Sequence, residues 1–225
     1  MSEYLYLDIE TIPTANAETI AAIAETITPP KTMSKPETIA LWERETKPGL
    51  VADAVSKTSF NGAHGQICCI GWAWGDGPVK SEIDTIAGSE LVTLRDAFAQ
   101  IANEAGMGFP IIIGHYVANF DIRFIWQRAM VLGVPMPHWF PKDPKPWGRE
   151  VFDTMAAWCG AKDSISLDNL CKALGIPGKN GIDGSMVAGM WARGEYDAIA
   201  EYCRDDVERV RNVHRKMRVA YGEAA

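Results

Sequence analysis

Residues 4–12, YLYLDIETI, combine the composition of a buried β-strand with two acids. Tyr, Leu and Ile favour strands, and side chains two residues apart on a strand point to the same face. Asp8 and Glu10 are therefore predicted to lie side by side at the end of a hydrophobic element. Two carboxylates held close in a poorly hydrated place repel each other, so we expect a compensating positive charge beside them.

A divalent cation is the compensating group that suits paired carboxylates best. Ligation by oxygen atoms alone favours Mg²⁺ or Mn²⁺. The pair by itself is a weak signal, because roughly one Asp-x-Glu is expected by chance in a chain of this composition. The interpretation therefore depends on whether other segments bring acids to the same place.

Composition places the chain among globular proteins. It has 225 residues, of which 47% are hydrophobic and 23% charged. No apolar run approaches the length of a membrane span, and the N-terminus lacks the basic start of a signal peptide, which predicts a cytoplasmic protein without a membrane partner. The five cysteines show no CxxC spacing, which disfavours a zinc site. A net charge of −7 argues against a broad cationic surface for nucleic acid, although it does not exclude a nucleic-acid enzyme.

Residues 13–61 differ from the rest of the chain, because prolines separate two short helical patterns at roughly 17–27 and 36–46. We interpret this segment as an insertion after the first strand. Two alternatives stay open for its role: it edges a substrate groove, or it is a decoration packed far from that groove.

The remaining segments predict one domain, residues 1–225, in the order β-β-β-α-β-α. An apolar strand that follows a helix indicates a parallel strand covered on both faces. A mixed sheet flanked by helices is the expected architecture. The predicted strands are 65–77, 79–88 and 109–117, and the predicted helices are 89–105, 119–133, 152–160, 166–178 and 194–221.

The last predicted helix carries two adjacent acids with different surroundings. At about 100° per residue its apolar residues form one stripe, and Asp206 lies roughly 40° from the centre of that stripe. Asp205 lies more than about 100° away. We therefore expect Asp206 to face the core and Asp205 to face water. Tyr202 precedes Asp206 by one helical turn, so its hydroxyl reaches the same region.

A further acid, Asp121, follows an apolar strand and opens a helix in the stretch GHYVANFDIRF. Complementation of the helix dipole explains a single acid at that position. The carboxyl end of a strand is also where α/β proteins usually place their chemistry. Both interpretations stay open from this segment alone.

Basic residues crowd the last helix. They form either a surface for nucleic acid or a solvated helix face that pairs with Asp205 and Glu208. Both alternatives stay open. The residues concerned are Arg204, Arg209, Arg211, Arg215, Lys216 and Arg218.

Three segments together resemble the exonuclease motifs of the DEDDy subgroup of DnaQ-like 3′–5′ exonucleases. They are Asp8-x-Glu10 in the first strand, NFD with Asp121, and YCRDD with Tyr202 and Asp206. The chain is most similar to the stand-alone proteins related to the exonuclease domain of family B DNA polymerases. The likeness covers residues 1–12 and 66–218, through the stretches DIETIP, GHYVANFD, FDTM, SLDNLCKALGIPGK, DGSMV and IAEYCRDDV.

The resemblance implies an α/β fold with an RNase H-like mixed β-sheet flanked by α-helices. It also implies two divalent metal ions, Mg²⁺ or Mn²⁺. Asp8 would bridge both ions, Glu10 and Asp206 would complete the inner site, and Asp121 would act on the outer site mainly through water. Tyr202 would position the attacking water.

The implied activity is 3′–5′ hydrolysis of single-stranded DNA with release of 5′-mononucleotides, so the expected partner is a nucleic-acid 3′ end. Ile9, Thr11, Asn119 and Phe120 are the expected substrate-binding residues. A core phenylalanine and a helix-capping asparagine are equally good interpretations of the last two. Two other functions stay open: an exoribonuclease with the same chemistry, and a non-catalytic nucleic-acid-binding domain.

Overall fold

The computed structural model describes residues 4–85, 89–104, 108–178 and 181–223. Within these ranges the strands are β1 (Tyr4–Ile12), β2 (Gln66–Trp74), β3 (Lys80–Ile83), β4 (Ile111–Gly114) and β5 (Val151–Asp153). The helices are α1 (Ala17–Thr26), α2 (Pro36–Glu45), α3 (Lys47–Ser56), α4 (Glu90–Glu104), α5 (Asp121–Leu132), α6 (Thr154–Cys159), α7 (Leu167–Ala173), α8 (Val187–Ala192) and α9 (Tyr196–Ala220). Short 3₁₀ turns cover Lys57–Phe60 and Gly184–Met186.

The chain divides into two compact units, one comprising Met1–Glu10 with Ile67–Ala225 and the other Thr11–Gln66. The second unit contains α1, α2 and α3, and both α1 and α2 contact α3. The sequence predicted only two helices there. It missed α3 because that helix starts with Lys-Pro-Gly, which looks like a chain break, although proline is tolerated in a first helical turn. The single domain with an insertion at 13–61 stays a prediction.

The first unit is built on one five-stranded sheet in the order β3-β2-β1-β4-β5. β4 runs parallel to β1, with Tyr4 opposite Ile111, and it also runs parallel to β5. β2 and β3 are antiparallel. The predicted mixed α/β sheet is therefore confirmed. The prediction lacked β5, because a strand of three residues carries no readable alternation.

Each face of the sheet supports its own hydrophobic cluster. Leu5, Leu7 and Ile9 of β1 pack in the cluster that contains buried residues of α4 and α5. Tyr6 packs in the other cluster, with α7 and the valines of α9. Because strand side chains alternate, the even-numbered residues of β1 point to the α9 face. This alternation carries the acids of β1 towards α9.

A buried ion pair ties α4, α5 and β2 together. Arg128 donates to Glu90 through Nε at 2.8 Å and Nη2 at 2.6 Å. The backbone N–H of Ile67 donates to the same carboxylate at 2.8 Å. Both side chains are buried, so each charge depends on the other.

Replacing Arg128 by methionine should leave the carboxylate of Glu90 buried without its cation. We expect Arg128→Met to lower the free energy of unfolding by about 3–5 kcal/mol. The double variant Glu90→Gln/Arg128→Met should recover part of this loss, because no buried charge remains. Urea denaturation of the four proteins of this cycle measures the coupling. A single variant as stable as wild type would contradict the assigned role of the pair.

Candidate active site

Helix α9 presents Tyr202 and Asp206 to the sheet. Tyr202 and Asp206 are each 6% exposed, whereas Asp205 is exposed. The predicted difference between the two adjacent aspartates is confirmed. The phenol of Tyr202 hydrogen-bonds the carboxylate of Asp206 one turn further along the helix. The apolar stripe beside them, from Ile199 to Met217, is buried as its spacing predicts.

Strand β1 brings Asp8 and Glu10 to the same place. One oxygen of each carboxylate lies within 4.8 Å of the other and of the Cys203 sulfur on α9. Cys203 Sγ is 3.7 Å from Asp8 Oδ2. The close approach of α9 needs a glycine on β2, since a Cβ at Gly71 would lie 2.8 Å from that sulfur.

Asp121 reaches β1 from the first residue of α5. Its Oδ1 accepts a hydrogen bond from the Ile9 backbone N–H at 3.1 Å, and the side chain is 3% exposed. Pairing of β4 with β1 extends to Ile113, which lies opposite Tyr6. The Ile9 N–H lies beyond this paired segment, and the Asp121 carboxylate accepts its hydrogen bond in place of a neighbouring strand. Asp121 therefore does more than complement a helix dipole. It hydrogen-bonds the residue that lies between Asp8 and Glu10, which favours the interpretation that it takes part in chemistry at the end of the strand.

The loop between β4 and α5 is held by Asp153. This carboxylate is 1% exposed and accepts from the backbone N–H groups of Tyr116 at 3.0 Å and Ala118 at 3.3 Å. It also caps α6 by accepting from Met155 and Ala156. Sequence reasoning missed the hold on the loop, because that contact joins segments far apart in the chain. Asp153 thus positions the loop that leads to Asp121.

The electrostatics show that the acids share one environment. Burial raises the pKa of Asp8 well above its usual range, and the carboxylates of Glu10, Asp121 and Asp206 raise that pKa further. Burial likewise raises the pKa of Asp121 to about 8. Burial, followed by Glu10 and Asp206, raises the pKa of Tyr202 above its usual range, so the phenol keeps its proton. The four acids and Tyr202 therefore form one electrostatically connected cluster.

The donor set fits a hard divalent cation. Carboxylate oxygens are the ligands that Mg²⁺ and Mn²⁺ prefer, and their mutual repulsion is the condition that a bound cation relieves. Cys203 does not belong to such a set, because a hydrogen bond with Cys69 and burial raise its pKa well above its usual range. Its sulfur keeps a proton and donates to Asp8.

A cation of the protein already lies at this cluster. Arg209 is 7% exposed and forms an ion pair with Asp206. Sequence reasoning missed this role, although the separation of three residues on one helix was the available signal. Arg209 offsets part of the negative charge of the acids.

Four other residues of the basic run also make contacts within the protein. Arg211 is buried and donates to the carbonyls of Gly75 and Gly77. The alternative of a solvated face therefore does not hold for Arg209 and Arg211, because both side chains are buried. The other partners are Ser81 for Arg204, Glu208 for Arg211, Asp76 for Arg215 and Glu223 for Arg218.

The four predicted substrate-binding residues differ in what they present. Ile9 is 5% exposed and packs in the core, and its N–H is used by Asp121. Thr11 donates through Oγ1 to the carbonyl of Ser59 at 2.8 Å. Asn119 is exposed, whereas Phe120 is partly buried and packs against the core. Asn119 thus presents the most accessible surface of the four.

The fold and the comparisons define the class of protein. The five-stranded mixed sheet between two layers of helices is an α/β RNase H-like fold. It resembles the structure of the family B DNA polymerase from the hyperthermophilic archaeon Pyrobaculum calidifontis, with a TM-score of 0.60 and 15% sequence identity. The match covers 97% of this chain and 25% of the polymerase, so the chain spans about a quarter of that protein.

Residues 67–224 match the family described as predicted 3′–5′ exonucleases related to the exonuclease domain of PolB. Because the match covers more than half of the chain, this protein belongs to that family. A comparison with curated proteins finds no match. The predicted resemblance is confirmed, and so is the assignment as an exonuclease family member. In the part of the chain that is described, no helix has the length and apolar character to cross a membrane.

Removal of one acid tests the cluster as a metal site. A cation that binds only the folded state stabilises it by about 2.7 kcal/mol at a hundredfold excess over Kd. Wild-type protein should therefore melt at a higher temperature in Mn²⁺ than in EDTA. Asp8→Asn should melt no lower than wild type in EDTA, because one repelling charge is gone, and should lose the Mn²⁺-induced rise.

Asp205→Asn is the matched control, because it removes the same charge from an exposed position beside Asp206. This variant should keep the full response to Mn²⁺. Differential scanning calorimetry measures both changes. If Asp8→Asn and Asp205→Asn respond alike, Asp8 does not belong to a metal site.

The same acids predict an unusual pH dependence without metal. The pKa of Asp121 rises from 3.8 to about 8 on folding, so the folded state binds its proton more tightly than the unfolded state. The resulting stability is present at low pH and is lost as pH rises through about 8. His214 acts in the opposite direction at lower pH, since burial lowers its pKa from 6.5 to about 4.

Between pH 6.5 and 8, the change in stability therefore reports on the buried acids and not on His214. In EDTA, the free energy of unfolding should fall as pH rises across this window. Asp121→Asn should flatten the fall, because asparagine has no proton to lose and its carbonyl still accepts from Ile9. Urea denaturation at several pH values measures the slope. A rise in wild-type stability across the window would contradict the shared burial of these acids.

Proposed function

We propose that this chain is a metal-dependent 3′–5′ exonuclease that removes 5′-mononucleotides from the 3′ end of single-stranded DNA. The observation that carries the proposal is the convergence of Asp8, Glu10, Asp121 and Asp206 beside Tyr202. These residues come from one strand and two helices. The other three carboxylates raise the pKa of Asp8, and Asp8, Glu10 and Asp206 raise the pKa of Tyr202. Membership of a family of predicted 3′–5′ exonucleases supports the direction of hydrolysis.

The oxygen donors of the four acids would hold two divalent ions. When bound, such ions would supply activation of water, neutralisation of the scissile phosphate and stabilisation of the leaving 3′-oxygen. Asp8 and Glu10 lie beside Cys203 of α9, the helix that also carries Asp206, while Asp121 hydrogen-bonds the backbone of Ile9. This difference in approach is why we assign Asp121 to the outer position.

Tyr202 acts as a donor that orients water. Its phenol keeps its proton at all physiological pH values, because its pKa is raised above the usual range. Proton abstraction by Tyr202 is therefore not the role that its surroundings favour. The hydroxyl instead donates to a carboxylate or to water in a site that is largely shielded from solvent. Glu10, which is 8% exposed, is the nearby carboxylate that accepts from the same water.

The terminal nucleotide is assigned to the loop between β4 and α5. Asn119 offers an exposed amide, and the ring of Phe120 lies beside that of Phe124. Asp153 fixes the backbone of the loop, so both side chains start from a defined position. A free 3′ end fits this arrangement, because the acids lie at the end of β1 beside the loop.

The preference for DNA rests on the relation to polymerase exonuclease domains. RNA is the second substrate to test, because discrimination would depend on contacts with the 2′-hydroxyl. Equal sequences of 5′-labelled DNA and RNA, incubated with Mg²⁺, Mn²⁺ or EDTA, separate the two. Faster shortening of RNA than of DNA would identify RNA as the preferred substrate. If neither is shortened, the remaining function is that of a non-catalytic nucleic-acid-binding domain.

Tyr202→Phe tests the assigned chemistry. Phenylalanine keeps the packing of the ring and removes the donor, so we expect kcat to fall by roughly 10- to 1000-fold while the Mn²⁺-induced stabilisation remains. Asp206→Ala should be more severe. Steady-state kinetics on 5′-labelled single-stranded DNA measures both effects.

Two outcomes would contradict this account. Full activity of Tyr202→Phe would remove the phenol from the mechanism, since the variant preserves nearly all of its apolar area. Cleavage of a circular single strand would exclude an exonuclease, because a circle has no 3′ end.

A further inference from the structure

A groove lies beside the loop between β4 and α5, within the unit that carries the acids. Its volume is about 640 Å³. One wall is formed by the segment around Trp147 and the other by α6 and the chain that follows it. Tyr116 and Asn119 of the loop between β4 and α5 also line it. We call this feature the side groove, and its polar lining includes Lys162, Asp163, Ser164 and Ser166.

Two aromatic rings on the side groove are accessible. Trp147 is 72% exposed and Tyr116 is 42% exposed. Tyr116 has a backbone φ of 65°, an unfavourable conformation for an aromatic residue. The hydrogen bond from its N–H to Asp153 helps to hold this conformation. The structure thus maintains a strained backbone at a residue whose ring remains exposed.

The chemistry around the side groove fits a single-stranded nucleic acid. Bases stack on exposed aromatic rings irrespective of sequence, and phosphates are attracted to basic side chains and to hydroxyls. The segment 142–149 carries Lys142, Lys145 and Arg149 against one acid, Asp143, although the whole chain has a net charge of −7. Lys162 adds an exposed cation on the opposite wall, next to the exposed acid Asp163.

The side groove adjoins the loop that leads to Asp121 of the proposed catalytic cluster. Asn119 lines it and lies two residues before Asp121 on the same loop. Asp153 also lines it, and its carboxylate holds Tyr116 and Ala118 of that loop. A strand whose 3′ end lies at the acids therefore finds aromatic and basic side chains along an adjoining surface.

We propose that the side groove binds the single-stranded segment on the 5′ side of the scissile phosphate, with bases stacked on Trp147 and Tyr116. This inference rests on the proposed exonuclease function and assigns the path of its substrate. It predicts that these two rings contribute to affinity for an oligonucleotide and not to hydrolysis of the terminal phosphodiester.

The test compares two substrates. Single-stranded dT10 fills the terminal site and the side groove, whereas thymidine 5′-(4-nitrophenyl phosphate) fills the terminal site alone. Loss of one stacking ring should raise KM for dT10 by roughly 5- to 100-fold. We expect this rise for Trp147→Ala, with kcat for dT10 and kcat/KM for the small ester unchanged.

The chain provides matched controls. Trp158 lies on α6 and is 48% exposed, but it does not line the side groove. Trp158→Ala should keep the wild-type KM for dT10. At Tyr116, asparagine removes the ring and tolerates a positive φ, whereas phenylalanine keeps the ring. Tyr116→Asn should therefore raise KM, and Tyr116→Phe should not.

The outcomes separate this inference from the function on which it rests. If wild type cleaves both substrates while Trp147→Ala and Tyr116→Asn keep the wild-type KM for dT10, the groove assignment is wrong and the exonuclease stands. An equal loss on both substrates also overturns the assignment, because the rings would then act at the terminal site. If wild type cleaves neither substrate, both proposals fail.

Discussion

The repulsion between Asp8 and Glu10 is the constraint on which the rest of the site depends. Strand geometry forces the two carboxylates onto one face, and burial limits how far water can screen them. Asp206 and Asp121 then approach the same place and raise the pKa of Asp8 further. Arg209 offsets only part of this charge. A binding site for divalent cations accounts for the four acids better than a structural role does. Uncharged side chains of similar size could fill the same space without the repulsion between carboxylates.

Convergence of the acids requires close backbone packing as well as charge. Gly71 allows α9 to lie against β2, and a Cβ at Gly114 would come within 2.4 Å of Val117 Cβ as the chain turns out of β4. Asp153 then holds the next residues through two backbone N–H groups. The loop that follows Gly114 therefore sets both the position of Asp121 and the exposed position of Tyr116. One backbone arrangement serves both the acids and the side groove.

The sequence predicted the features that depend on local periodicity. Alternation in β1 predicted a shared face for its two acids, and the stripe of α9 distinguished Asp206 from Asp205. Local patterns could not reveal contacts between distant segments, such as the hold of Asp153 on the β4–α5 loop. They also failed where a residue pairs inside the fold: Arg209 looked like part of a solvated face until its ion pair with Asp206 was known.

A crystal structure in Mn²⁺ with a nucleoside 5′-monophosphate decides whether the four acids bind metal ions. Anomalous scattering from manganese locates each ion without reference to the activity of the protein. We expect manganese between the carboxylates of Asp8, Glu10 and Asp206, with a second ion beside Asp8 on the Asp121 side. Manganese bound only elsewhere, with Arg209 still paired to Asp206 and no ion at Asp8, would mean that the acids do not form the metal site.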